Sequence, residues 1–213
     1  MHVFFELLIL KKMTRRYLCM SKRHNKKPEE IPCLEGYQTE KRTISMLAAN
    51  LWAMGVMFVF MIVGIALLLF RKPLVDESMS LFGSVWLFLV ILPAIAVHEL
   101  IHGFTWMAVT HSGFKHLSFG LLPGGVYCHI DVPMTKRAYC CGALMPLLLL
   151  GVVPYIISLF VGSVWLMVLG AMMIGCAMGD VLIVWAIRKE SPDTLVYDHP
   201  SEPGCMLYHP LTK

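Results

Sequence analysis

Three long stretches of this sequence contain no Asp, Glu, Lys or Arg: 43 to 70, 78 to 97 and 138 to 179. A helix crosses a bilayer with about 20 consecutive apolar residues, because each residue rises ~1.5 Å and every backbone N–H and C=O must be bonded internally. The first two stretches each hold one crossing, and the third is long enough for two. Four membrane-spanning helices follow, at about Ser45 to Phe70, Ser80 to Val109, Ala138 to Leu159 and Gly162 to Ile187, with Phe160 to Ser163 as the last turn. A chain that is 57% hydrophobic and 15% charged, with mean hydropathy +0.68, is not an ordinary soluble domain. The fold class expected is an all-α membrane protein.

The net charge of +4 is modest, and its basic residues concentrate before the first span, at Lys11, Lys12, Arg15, Arg16, Lys22, Arg23, Lys26, Lys27, Lys41 and Arg42. Such a bias is a topology signal that keeps the N-terminus in the cytoplasm; it does not point to nucleic acid. Four crossings then return the C-terminus to the same side. The apolar run Val3 to Leu10 precedes the basic residues, the reverse of a signal peptide, and is too short to span. It is either an interfacial tail or lies upstream of the true start, at Met13 or Met20. Pro28 to Pro32 reads as an extended linker. The expected organisation is a basic tail over 1–43, a membrane domain over 44–187 and a second cytoplasmic tail over 188–213. Seven cysteines without a Cys-x-x-Cys pair argue against a disulfide framework or a zinc ribbon. Cys128, Cys140, Cys141 and Cys176 read as small packing residues.

Within the second span stands Val97-His98-Glu99-Leu100-Ile101-His102-Gly103. Residues four apart share a helix face, so His98 and His102 can grip one Zn²⁺ while Glu99 reaches a bound water. The pattern is weak in a soluble helix, where it is usually a solvated face. Here apolar residues surround it, and ionisable groups at membrane depth face a water-filled cavity or a partner. Pro93 lies five residues before His98; it either makes an ordinary membrane-helix kink or opens space for water beside the motif. The single amide of the first span, Asn50, reads as packing.

Residues 114 to 132 break the helical pattern. Val126, Cys128, Ile130 and Val132 alternate with Tyr127, His129 and Asp131, after Pro123-Gly124-Gly125. That pattern predicts a small β-hairpin between helices two and three. An open strand edge cannot face lipid, so the hairpin must sit at the interface or in a protein-lined cavity, where it can accept an unwound peptide as an added strand.

A catalytic zinc takes a third protein ligand and leaves a position for water. Position 108 is Ala, which removes the extended pattern with a third histidine, and no Glu occurs between Glu99 and Glu190. The candidates are His111, His116, His129, Asp131 and Asp180, with Asp193, Asp198 and His199 in the tail. Counting from Ser80, His98 lies roughly 27 Å into its span, and counting from Ser163, Asp180 lies roughly 26 Å into its own. Equal depth in two helices running the same way favours Asp180, near the cytoplasmic face. The competing reading is a helix-end carboxylate satisfied by Arg188 or Lys189. His129 and Asp131 remain as substrate-contact or supporting residues, or as polar hairpin residues. Ala171, Gly175 and Gly179 form a small-residue face for close helix approach.

On these residues the chain resembles the putative zincin peptidase family of small bacterial multi-pass membrane proteins. The resemblance covers about residues 80 to 203: His98 to Gly103, Pro123-Gly124-Gly125, the Met145-Pro146 helix, Gly179-Asp180 and Asp198-His199-Pro200. More distantly the chain is similar to the site-2 proteases, which carry their two histidines and glutamate on one core helix and an aspartate on a later one. It departs from them around Asp180, which Gly179 precedes and Val181 follows in place of an Asn-Pro-x-x-x-x-x-Asp-Gly arrangement. The resemblance implies a zinc metallopeptidase of the bacterial cell membrane, acting on membrane or membrane-proximal peptides, with Glu99 as catalytic base. Two other classes fit the same residues: a non-catalytic metal-binding membrane protein acting as an assembly or regulatory partner, and a metal transporter. Against the transporter stand the single intramembrane acid outside the His-Glu-x-x-His motif, Asp180, and the lack of an inverted hydropathy repeat.

Overall fold

The computed structural model describes residues 10–11, 17–18, 32, 34–70, 81–122, 125–200 and 202–211. Most of the basic tail, including Met13, Met20 and the Pro28 linker, lies outside the described residues, as do Arg71 to Pro73 and the Pro123-Gly124 break. Four helices are long and apolar enough to cross a membrane: Met46–Phe70, Leu87–Thr110, Lys136–Val161 and Val164–Ala186.

The first is α1 (Met46–Phe70), and the second belongs to α2 (Leu81–Thr110), which continues as helix through Pro93. The third joins α3 (Lys136–Pro146), a π-helical turn (Leu147–Val152) and α4 (Val153–Val161). The fourth joins α5 (Val164–Cys176) to α6 (Met178–Ala186) across Ala177. Side-chain caps set the starts: Thr135 accepts from the Ala138 N–H, and Ser163 from the Leu166 N–H. Gly162, at φ 78°, closes α4 in the left-handed region that a side chain would disfavour.

Large apolar side chains such as Phe58, Ile62, Phe88 and Leu92 are exposed, as lipid-facing residues must be. Inside, Tyr155, Met167, Val168, Ala171 and Ile174 form one core with Leu68. Small residues bring α1 onto the fourth span. A Cβ at Gly64 would lie 2.6 Å from Met167 Sδ, and one at Gly175 would lie 3.0 Å from the Ala53 oxygen. Gly179 differs from the rest of its expected stripe, since nothing comes within 4 Å of its Cβ position.

The chain is mostly helical, yet it carries more strand than the all-α expectation with one hairpin. Strands β1 (Leu10–Lys11), β2 (Tyr17–Leu18), β3 (Tyr37–Ile44), β6 (Met134–Thr135), β7 (Leu195–Asp198) and β8 (Gly204–Pro210) form one antiparallel sheet. Its order is β1-β3-β8-β7-β6, with β2 also on β3. The long pairing aligns Tyr37 with Pro210 and Thr43 with Gly204, so residues before the first span and after the last share one sheet. Gly204 permits it: a Cβ there would lie 2.1 Å from the Arg42 oxygen. A separate pair, β4 (Leu117–Leu122) and β5 (Gly125–Ile130), aligns Phe119 with Cys128. Cys128, Ile130, Tyr139, Ile187, Val196 and Leu207 join hairpin, helix ends and sheet in a second core, with Trp106 among them.

Candidate metal centre

At the sheet end of the bundle, α2 presents His98 and His102 on one face, with ring centroids 4.8 Å apart and only 5% and 3% of each residue exposed. Asp180, in the first turn of α6, meets both. Its Oδ2 stands 3.4 Å from His98 Nε2 and 3.3 Å from His102 Nε2. Among the described residues these three form the one group able to offer three ligand atoms together, all within 4.8 Å of one another.

Two features of the donor set suit zinc. A tetrahedral ion with bonds of ~2.05 Å separates its ligand atoms by about 3.3 Å, close to both Asp180 contacts, and all three ligand atoms lie within 4.8 Å of one another. The tautomer of His102 points the same way. Its Nδ1 lies 2.9 Å from the Gly142 oxygen, and a carbonyl can only accept, so Nδ1 carries the proton. In the neutral ring Nε2 is then a lone pair aimed at an anionic oxygen. Such an arrangement calls for a cation between them or a proton on Nε2. An Nδ1–H held by a carbonyl is also how zinc-binding imidazoles are oriented. The residues present fit the ion. Among the described residues, His98 Nδ1 is buried without a hydrogen-bond partner.

The site opens on a cavity of about 450 Å³ lined by His98, Glu99, His102 and Asp180 together with Asn50 of α1, Tyr127 and Cys128 of β5, and Asp198 and His199. Asn50, expected to pack, is exposed on this cavity instead. Glu99 shares the cavity wall with Cys128 of β5. Strand register decides which β5 backbone groups face β4. Asp131 N–H bonds to the His116 oxygen at 2.8 Å, so residue 131 faces β4, and by alternation 129, 127 and 125 do as well. The N–H and C=O groups of Val126, Cys128 and Ile130 therefore point away from β4.

The other candidates lie elsewhere. His129 and Asp198 pair with each other at 3.0 Å, and Tyr139 donates to the second Asp198 oxygen at 3.1 Å. Burial pushes the Asp198 carboxyl up, against these two donors. Asp131 accepts from the Tyr197 hydroxyl at 2.8 Å, His199 Nδ1 accepts from the Glu202 N–H at 3.1 Å, and Asp193 is exposed. Exposed His111 ends α2 at φ 54°, and His116 closes the short helical turn Phe114–His116. Arg188 lies over the Trp185 ring, 3.5 Å from its centroid. Burial, then the Glu99 and Asp198 charges, push the Cys128 thiol up to about 12, so it stays protonated at neutral pH. Reading the residues in order missed the Gly142 carbonyl, since a backbone acceptor has no side-chain signal beyond the proline four residues on.

The model of one protein family, described as putative zincin peptidase, matches residues 89–195, half of the chain. The match runs from α2 through the hairpin to the start of β7 and so contains His98, Glu99, His102 and Asp180. No curated protein and no solved structure matches the chain.

Proposed function

This chain belongs to the putative zincin peptidase family, and on that premise we propose that it is a membrane-embedded zinc metallopeptidase cutting membrane or membrane-proximal peptides, with His98, His102 and Asp180 as ligands and Glu99 as base. The observation that carries the reading is the single Asp180 oxygen placed 3.4 and 3.3 Å from two imidazole nitrogens. Zinc at those ligands supplies a Lewis acid for the scissile carbonyl and brings the pKa of its water toward 7.

The remaining work falls to the chain. Glu99, on the cavity wall beside the metal ligands, takes the proton of the attacking water and passes it to the leaving amine. The outward edge of β5 offers the Val126 N–H and C=O and the Cys128 C=O to an extended substrate backbone beside Glu99. A helical substrate must unwind to use that edge. The proposed setting is a bacterial cell membrane with both termini, and hence the site, on the cytoplasmic side, a reading that the basic residues before the first span support. Site-2-protease-like chemistry follows from the same helix-borne residues.

The test is zinc stoichiometry of the detergent-purified protein for wild type, His98→Ala and Asp180→Asn, with peptide cleavage by Glu99→Gln alongside. One zinc per chain is expected, lost in the first variant and weakened in the second, with Glu99→Gln binding zinc and cleaving nothing. A folded wild type without zinc, or undiminished cleavage by Glu99→Gln, overturns the reading. A zinc-loaded wild type that cleaves no peptide favours the non-catalytic alternative.

A further inference from the structure

The Gly142 carbonyl that orients His102 owes its availability to the residue four positions on. In an α-helix the oxygen of residue 142 receives the N–H of residue 146. Residue 146 is proline and has no N–H, while the next donor, the Leu147 N–H, goes to the Leu144 oxygen. A proline ring also crowds the carbonyl four residues before it and tilts that carbonyl off the helix axis. The π-helical turn that begins at Leu147 absorbs the distortion.

Gly142 completes the arrangement. A Cβ there would lie 2.1 Å from Trp106 Cδ1, so only glycine lets α2 approach α3 this closely. Trp106 in turn stacks on the His102 ring, at 5.3 Å and 18°, and fixes its plane. His102 and Trp106 of α2 thus both meet α3 at Gly142.

We propose that Pro146 is a positioning residue for the metal centre: by withholding its backbone N–H it keeps the Gly142 carbonyl for His102 Nδ1–H, which holds the Nε2 lone pair toward Asp180. The proposal rests on the reading of His98, His102 and Asp180 as ligands. Pro146→Ala supplies the missing N–H, returns the Gly142 oxygen to the helix and releases the His102 proton to either nitrogen.

The experiment titrates zinc into full-length protein and reads the His102 tautomer by ¹⁵N NMR in the metal-free state at a pH high enough that the ring is neutral, assigned with His102→Gln. Three proteins are compared: wild type, Pro146→Ala, and protein with the α-hydroxy analogue of alanine at 146, which lacks both ring and N–H. The alanine variant is expected to bind zinc about 10-fold more weakly and to lose the Nδ1–H signature, and the hydroxy-acid protein to behave as wild type. Equal affinity in Pro146→Ala, or a hydroxy-acid protein as weak as the alanine variant, overturns the proposal. If Pro146→Ala does not fold, the other two proteins decide: an Nε2–H tautomer in wild type, or weakened binding in the hydroxy-acid protein, overturns it. A wild type that takes up no zinc refutes the metal-site reading, and the positioning role falls with it whatever the tautomer.

Discussion

His129 donates its Nδ1–H to Asp198 Oδ2 at 3.0 Å, tying the hairpin to the sheet across 69 residues of chain. With Tyr139 on the other carboxylate oxygen, one buried aspartate holds strand β5, helix α3 and strand β7 together beside the cavity.

Asp198→Ala is expected to lower stability by ~3 kcal/mol, because it strands a buried imidazole and a buried hydroxyl. In a double-mutant cycle with His129→Ala the coupling should be ~1–3 kcal/mol. Additive losses would mean that the two side chains do not stabilise one another.

Glycine replacement should sort by the space each position has. Gly142→Ala meets the Trp106 ring at 2.1 Å and should cost about 1–3 kcal/mol through overpacking. Gly179→Ala meets nothing within 4 Å and should leave the melting temperature unchanged or raise it. Thermal unfolding of the two variants checks the order, and equal losses would contradict it.

The turn between β7 and β8 should open in acid. Burial, then the Lys41 charge, hold His199 below its ordinary value, and its Nδ1 accepts the Glu202 N–H only while unprotonated. A histidine with a depressed pKa binds fewer protons folded than unfolded. Its stabilisation is therefore present above about pH 6.5 and is lost as pH falls through the folded value. Hydrogen exchange at Glu202, corrected for its intrinsic pH dependence, should quicken below that pH. His199→Asn, which offers an amide oxygen in place of Nδ1, should remove the dependence; an unchanged pH profile in that variant would assign it to another group.

Val126→Pro deletes an N–H that points away from β4, so the hairpin should survive it. Zinc content is expected to stay at the wild-type level while peptide cleavage falls by about 10-fold, the worth of one good hydrogen bond. Tyr127→Pro deletes a ladder N–H and should disturb the hairpin itself. Undiminished cleavage by Val126→Pro would remove β5 as the substrate edge.

Helix count was legible because uncharged length is a direct measure of bilayer crossing, and residue depth was enough to bring Asp180 level with His98. The sheet was not legible. β3 reads Tyr-Gln-Thr-Glu-Lys-Arg-Thr-Ile, whose charges look like a solvated tail, yet Arg42 pairs with Glu40 and Glu190 at 2.7 and 3.4 Å. β8 buries Cys205, Met206, Leu207 and Tyr208 in succession, so neither face shows the alternation that marks a half-exposed strand. Asn50 was misread because one amide in an apolar helix gives no sign of which neighbour it faces.

The pairing of β3 with β8 also sets an order of events during synthesis. Tyr37 to Ile44 leave the ribosome before any span, but their partners, Gly204 to Pro210, emerge only after all four. His199 and Gly204 line the cavity on that late side. The cavity beside His98, His102 and Asp180 therefore gains its last wall only when β8 is released, and cleavage by the proposed peptidase is expected no earlier than that.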